Sequence, residues 1–157
     1  MDIYLMQHGV ATSAEDDPSR PLTAAGRASV ERVAAQARTA GVRADRCVHS
    51  GKLRAEQTAR VLADAVGATV QTRAGLNPSD PVRPIADWLQ AQARVSPQGS
   101  IAVVGHLPFL DRLTSLLVAG DDNAHAVRFQ NAALMKLVPK DDAPGYAVAW
   151  ILSPDLA

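Results

Sequence analysis

The 157-residue chain has the length of one domain and can bury a sizeable core. Its 16 Lys and Arg balance its 16 Asp and Glu, so its charge gives no reason to expect nucleic acid or an anionic membrane as partner. No segment approaches the roughly 20 apolar residues of a membrane helix, and no signal peptide is recognisable. We expect one domain over residues 1–157, a cytoplasmic protein, and Cys47 as a buried packing residue.

The first half of the chain alternates strand-like and helix-like segments. Apolar runs predict strands at 2–7, 47–49 and 69–72. Apolar residues three and four positions apart predict two helices between these strands. Thr23 is expected to cap the first helix and Gly41 to end it, whereas the second helix is expected from about Lys52 to Gly67.

The second half predicts one more strand–helix unit and a hairpin. Asp80 is expected to cap the third helix, with Pro81 in its first position. A strand at 101–105 leads into a fourth helix, and alternating stretches at 132–138 and 146–152 predict an antiparallel hairpin. This order predicts an α/β fold: a three-layer α/β/α sandwich, with a mostly parallel central sheet and a C-terminal antiparallel hairpin.

Two histidines follow apolar strands. His8 comes directly after the strand at 2–7, and His106 directly after the strand at 101–105. Because ligands bind beyond the carboxyl ends of parallel strands, both imidazoles are candidates for one pocket. A histidine at a strand end can also be purely structural, so the surrounding residues must decide.

Cations gather where the second helix begins. Lys52 and Arg54 lie in its expected first turn, where the helix dipole disfavours positive charge. A bound anion would compensate, because free backbone N–H groups and Arg54 would point at it. Arg20 is a candidate second clamp, with an ion pair to the acidic residues 15–17 as the alternative. Two histidines and two arginines, without a carboxylate cluster for a metal, suit a phosphoryl group.

Four motifs, in this order, resemble those of the histidine phosphatase superfamily, whose members are phosphoglycerate-mutase-like. They are His8-Gly9, Arg20-Pro21-Leu22-Thr23, the run from Ser50 to Thr58, and Gly105-His106-Leu107-Pro108. The chain is short, and its third motif contains the sequence Leu-Arg-Ala-Glu-Gln-Thr. In both respects the chain is most similar to the small bacterial phosphohistidine phosphatases.

The resemblance implies a covalent mechanism without metal or other cofactor. His8 would attack phosphorus and become a phosphohistidine, which water then hydrolyses, and Arg54 and His106 would act with it in catalysis. The residues that the resemblance assigns to phosphate binding are Gln7, Gly9, Arg20, Arg54 and Ser50. The ring nitrogen of His8 that does not attack should donate to a backbone carbonyl, and charge from Arg54 and His106 should lower the His8 pKa.

Several positions carry alternatives. Gln7 stands where the family usually has arginine, and it can donate one neutral hydrogen bond through its amide. Asp80 is a candidate general acid, with the helix cap as the alternative. Ser50 is expected to cap the second helix, with a pocket hydroxyl as the alternative. His49 either lines the pocket or is a partly buried strand residue, and His125 is expected at the surface.

These observations predict a phosphatase that removes phosphate from phosphohistidine on a protein. An imidazole leaves more easily than an alkoxide, which suits a site without a strong general acid. The expected partner is a phosphorylated protein of signal transduction, such as a histidine-containing phosphotransfer domain, and the enzyme is expected to be a monomer. The alternatives are a broad phosphomonoesterase that uses Asp80, or a non-catalytic phosphate-binding module because of Gln7.

Overall fold

The computed structural model describes residues 1–157 and contains six strands and four helices. The strands are β1 (Asp2–Gln7), β2 (Arg46–His49), β3 (Thr69–Thr72), β4 (Ser100–Gly105), β5 (Leu134–Pro139) and β6 (Tyr146–Leu152). The helices are α1 (Ala24–Thr39), α2 (Leu53–Val66), α3 (Arg83–Val95) and α4 (Phe109–Ala119). None of the four helices combines the length and the apolar character that a membrane-spanning helix requires.

All six strands form one sheet in the order β3-β2-β4-β1-β5-β6. The first four in this order run parallel, whereas β5 and β6 are antiparallel to their neighbours. The predicted mostly parallel sheet with a C-terminal antiparallel hairpin is therefore confirmed. Because Gln7 of β1 lies opposite Gly105 of β4, the residues that follow these two strands leave the sheet side by side.

Helices cover both faces of the sheet, which confirms the three layers. Apolar residues of α3 and α4, such as Leu89 and Leu113, pack with Leu5 on one face. Residues of α1 and α2, such as Val33 and Leu62, pack on the other face. Cys47 is fully buried there, and burial raises the pKa of its thiol to about 12, as expected of a packing residue rather than a nucleophile.

The third helix begins later than predicted, and Asp80 does not cap it. α3 starts at Arg83, with Val82 in the cap position and Pro84 in the first turn. The Asp80 carboxylate instead accepts a hydrogen bond from the Asn77 N–H at 2.8 Å, and the Asp80 N–H donates to the Asn77 carbonyl at 3.1 Å. Asp80 thus closes a local turn, an alternative that aspartate commonly finds ahead of a helix.

The start of the second helix also differs from its prediction. Lys52, not Ser50, occupies the cap position of α2, and it makes no side-chain cap bond. The Ser50 hydroxyl accepts a hydrogen bond from the Lys52 N–H at 3.3 Å, but Gly51 intervenes with φ +86 and turns the chain. The cap of the first helix is confirmed, because the Thr23 side chain accepts from the Gly26 N–H at 2.9 Å.

Candidate active site

His8 lies just beyond the end of β1, and one of its ring nitrogens is already engaged. Its Nδ1 is 2.7 Å from the Gly9 carbonyl oxygen. A carbonyl can only accept, so Nδ1 carries the proton and Nε2 keeps its lone pair. The backbone of His8 is held as well, since its N–H donates to the Gly105 carbonyl of β4 at 3.1 Å. The predicted bond from His8 to a backbone carbonyl is therefore present.

Gly9 lets the chain after His8 pass close to α1. A Cβ at Gly9 would lie 2.8 Å from Cγ2 of Val30 and 2.9 Å from the Gly26 carbonyl oxygen. The Gly9 N–H is buried, and it donates to the hydroxyl of Thr58 in α2 at 3.1 Å. That hydroxyl in turn donates to the Arg54 carbonyl at 2.8 Å. Thr58 therefore joins the end of β1 to the first turn of α2.

The segment that precedes β5 also fixes His8. The Asn131 side-chain amide donates to the His8 carbonyl at 2.9 Å, and the Ala132 N–H donates to the Gln7 carbonyl at 3.0 Å. Asn131 is not among the site residues predicted from the sequence, because its position near His8 depends on the pairing of β5 with β1. Thr58 stands within the third sequence motif, but its bond to Gly9 follows from the packing of α2 against the sheet edge.

Arg54 contacts the unprotonated ring nitrogen of His8. Its Nε donates toward His8 Nε2 at 3.3 Å, from the first turn of α2. A guanidinium at this place lies where an anion attacked by His8 Nε2 would be bound. The structure thus brings Arg54 and His8 together, as the sequence predicted.

His106 lies beside His8 and is buried. The two ring centroids are 5.0 Å apart with planes inclined by 57°. Nε2 of His106 lies 2.7 Å from the Ser50 hydroxyl, and Nδ1 is buried without a hydrogen-bond partner. The alternative interpretation of Ser50, a pocket hydroxyl, is the one that agrees with this contact.

The surroundings keep both imidazoles neutral near pH 7. Burial lowers the pKa of His8 most; the bond to Gly9 opposes this, and the charges of Arg54 and Arg20 add to the lowering. Burial also lowers the pKa of His106 to about 3, assisted by the charges of His8, Arg54, Lys52 and Arg20. The pKa of His8 is lowered, as predicted, but the main cause is burial rather than neighbouring charge. The charges that contribute are those of Arg54 and Arg20, whereas Arg54 and His106 were predicted.

Arg20 is close to the cluster and is held by the loop that carries it. Its Nε donates to the Thr12 carbonyl at 3.1 Å, and its backbone adopts φ +49. The alternative role suggested for Arg20, an ion pair with the acidic residues 15–17, is not observed. Its charge acts on the pKa values of both His8 and Arg54.

Three other candidates take no part in these contacts. Gln7 is 8% exposed, its Oε1 is buried without a partner, and its side chain does not hydrogen-bond to the histidines. Asp80 stays in its turn with Asn77 and contacts none of the site residues. His49 is buried and accepts from the Gly51 N–H at 3.1 Å, which makes it a structural strand residue.

The cluster is partly exposed: His8, Ser50 and Arg54 are half-buried, whereas His106 is buried. Five main cavities of the molecule have volumes up to about 450 Å³, and none is lined by His8, Arg54 or His106. No group of three or more His, Cys, Asp or Glu side chains is placed to hold a metal ion. The functional groups that the cluster offers are two neutral imidazoles, two guanidiniums and a hydroxyl.

Comparisons with known proteins identify relatives of the chain. A family model for the histidine phosphatase superfamily (branch 1) matches residues 3–81. An uncharacterized protein of Picosynechococcus sp. is 31% identical over 129 residues, which cover 80% of this chain and 78% of that protein. Phosphohistidine phosphatase SixA of Escherichia coli is 28% identical over 157 residues, 98% of this chain and 94% of the relative. The structure of the protein histidine phosphatase SixA complexed with tungstate superposes with a TM-score of 0.86 at 27% identity, covering 99% and 98% of the two chains.

Proposed function

The chain belongs to the histidine phosphatase superfamily, and from this premise we propose that it hydrolyses phosphohistidine on a protein through a phosphoenzyme intermediate at His8. The observation that carries the proposal is the pair of contacts of the His8 ring. Nδ1 donates to the Gly9 carbonyl, and the unprotonated Nε2 accepts from Arg54 Nε at 3.3 Å, a contact that a phosphoryl group bound by Arg54 would replace. A neutral nucleophile beside a fixed cation suits attack on an anionic phosphoryl group.

Two displacements complete the reaction. In the first, the lone pair of His8 Nε2 forms a bond to phosphorus while the bond between phosphorus and the substrate imidazole breaks. The electron pair of the broken bond stays on the leaving nitrogen, and the substrate imidazole departs as a neutral ring because its other ring nitrogen already carries a proton. In the second, water attacks phosphorus and the bond to His8 Nε2 breaks, which releases inorganic phosphate and restores His8. Arg54 and Arg20 stabilise the charge on the phosphoryl oxygens in both steps.

Ser50 would bind the phosphoryl group by a hydrogen bond, with its hydroxyl oriented by His106. With a pKa of about 3, His106 is neutral, so it donates a hydrogen bond and does not act as a strong acid. If its Nε2 carries the proton, the Ser50 hydroxyl accepts from His106 and from the Lys52 N–H, and its own proton is free for a phosphoryl oxygen. An imidazole leaving group makes little demand on a general acid, and this supports phosphohistidine over an alkyl phosphate.

The partial exposure of His8 and Arg54 supports a protein as substrate, because a side chain that protrudes from another protein could reach both residues. We propose that the monomer meets its phosphorylated partner, such as a histidine-containing phosphotransfer domain, in the cytoplasm as part of signal transduction.

The test is to incubate the protein with a phosphotransfer domain labelled with ³²P on histidine. We expect the wild type to release the label as inorganic phosphate and the His8→Ala variant to leave it on the domain. Retained label with the folded wild type would contradict the phosphatase proposal. If inorganic phosphate still bound under those conditions, the chain would be a phosphate-binding module.

A pair of small substrates tests the alternative phosphomonoesterase. An aryl phosphate leaves without the help of an acid, whereas an alkyl phosphate needs one. We expect slow turnover of the aryl phosphate and almost none of the alkyl phosphate, because Asp80 is held by Asn77. Comparable turnover of the two would favour the phosphomonoesterase.

A further inference from the structure

Lys52 is a cation without a partner at the N-terminus of α2. It occupies the cap position, where the helix dipole disfavours positive charge, and its side chain makes no cap bond. It forms no ion pair in the structure. Glu56, one turn along the same helix, is engaged by Arg60 at 2.7 Å. The charge of Lys52 is therefore not balanced by its own helix.

The backbone of Lys52 is tied to the candidate active site. The Lys52 N–H and His106 Nε2 both contact the Ser50 hydroxyl, at 3.3 and 2.7 Å. Gly51, with φ +86, directs the chain from Ser50 into the first turn of α2. The positive charge of Lys52 also contributes to the lowered pKa of His106, as do those of Arg54 and Arg20. Lys52 thus adds to the positive field at the cluster.

The first strand supplies no charge to this field. Gln7, the last residue of β1, is neutral and almost fully buried, and its side chain makes no hydrogen bond within the cluster. The cations that act on the two histidines come from the loop before α1 and from the start of α2.

We propose that the Lys52 ammonium binds a phosphoryl oxygen on the His106 side of the site and supplies the positive charge that Gln7 does not. This inference rests on the proposed function, because it takes the phosphoryl group to lie between His8 and His106. Lysine suits this place, since its flexible stem and compact charge can follow an oxygen as phosphorus moves between two nitrogens. An ammonium gives one strong contact, where a guanidinium would give two in fixed geometry.

The test compares Lys52→Gln with Lys140→Gln, a matched removal of one lysine charge. Lys140 lies after β5, beyond the opposite end of the sheet from His8, and donates to the Val118 carbonyl at 2.9 Å. Binding of inorganic phosphate and of vanadate is measured for both variants. We expect Lys52→Gln to weaken both by about ten- to a hundredfold, the effect of one charged hydrogen bond, and Lys140→Gln to change neither by more than about twofold.

A second arm places an arginine in the first strand. If Lys52 supplies the missing charge, Gln7→Arg should strengthen phosphate binding more in the Lys52→Gln background than in the wild type, because the two cations serve the same phosphoryl group. If Gln7→Arg strengthens phosphate binding equally in both backgrounds, the two positions act independently. That result would overturn the proposal that Lys52 supplies the charge that Gln7 does not.

The remaining outcomes separate this inference from the proposed function. If Arg54→Ala weakens phosphate binding while Lys52→Gln does not, the site stands and the role of Lys52 is overturned. Equal losses in Lys52→Gln and Lys140→Gln would also overturn it, since the effect would then be one of net charge. If the folded wild type binds neither phosphate nor vanadate, the proposed function fails, and the inference about Lys52 fails with it.

Discussion

The backbone carbonyl of Gly9 determines which ring nitrogen of His8 carries the proton. Because the Gly9 carbonyl oxygen can only accept, it fixes the proton on Nδ1 and leaves Nε2 unprotonated, as the proposed attack on phosphorus requires. Arg54 Nε donates to this nitrogen at 3.3 Å, and in the proposed reaction its guanidinium would turn to the phosphoryl oxygens. The roles proposed for these side chains make distinct predictions.

Replacement of His8 by alanine is expected to abolish turnover, because it removes the attacking nitrogen. In the wild type, a single turnover stopped by denaturation should trap phosphate on the protein. This phosphate should be labile in acid and stable in base, as expected of phosphohistidine. Peptide mapping identifies the labelled residue. Label on another residue, or full activity with no label trapped, would contradict His8 as the nucleophile.

Substitutions of Arg54 and of Asp80 should have very different effects on turnover. We expect Arg54→Ala to weaken vanadate binding and to slow turnover at least about tenfold, because a charged contact to the phosphoryl group is lost. Asp80→Asn should barely change phosphohistidine hydrolysis, since the Asp80 carboxylate is occupied by the Asn77 N–H. Steady-state kinetics on a labelled phosphotransfer domain measure both. A large loss in a folded Asp80→Asn protein would identify Asp80 as a general acid.

The contacts that could be foreseen from the sequence depend on residues close in the chain or on the shared edge at which parallel strands end. The bond from His8 to a carbonyl is of the first kind, and the meeting of His8 with His106 is of the second. The bonds from Asn131 to His8 and from Ser50 to His106 join residues far apart in the chain. They require the packed sheet, and no local pattern indicates them.

At the scale of elements, the site is a junction between the end of β1 and the start of α2. Thr58 makes this junction, because its buried hydroxyl accepts from the Gly9 N–H and donates to the Arg54 carbonyl. The order of strands and helices could be predicted from apolar periodicity. The start of α3 could not, because the local turn of Asp80 with Asn77 competes with the cap that the sequence suggests.

Thr58→Val is expected to loosen this junction. Valine keeps the shape of threonine but leaves the buried Gly9 N–H without an acceptor, at a cost of about 1–3 kcal/mol in the free energy of unfolding. Turnover should fall as well, because Gly9 positions His8. Urea denaturation and kinetics measure the two effects, with Thr58→Ser, which keeps the hydroxyl, as the control. Similar results for valine and serine would show that the hydroxyl does not hold the junction.

At the scale of the whole molecule, the site sits where a sheet with a core on each face opens to the surface. Burial of His106 at this site makes the folded protein less stable in acid. His106 has a pKa of about 3 in the folded protein and an ordinary value near 6.5 when unfolded. Between these values the unfolded chain binds more protons than the folded one, so stability falls as the pH falls.

Stability should therefore decline below about pH 6.5, with the unfolding equilibrium constant rising by up to about tenfold per pH unit from this histidine alone. His8, whose pKa is also lowered, acts in the same direction. Urea denaturation between pH 4.5 and 8 measures the decline, and His106→Asn should make it shallower. Parallel curves for the two proteins would mean that His106 titrates normally when folded.

The central position of β1 in the sheet also determines when the chain can fold during synthesis. Its parallel neighbour β4 begins at Ser100, and its other neighbour β5 begins later still. At about 5–20 residues per second, a ribosome needs roughly 5–20 seconds after making β1 to deliver β4. The apolar residues of β1 have no strand to pair with during that time. The nascent chain therefore carries an unpaired apolar strand, the kind of segment that is prone to aggregation, until translation is well advanced.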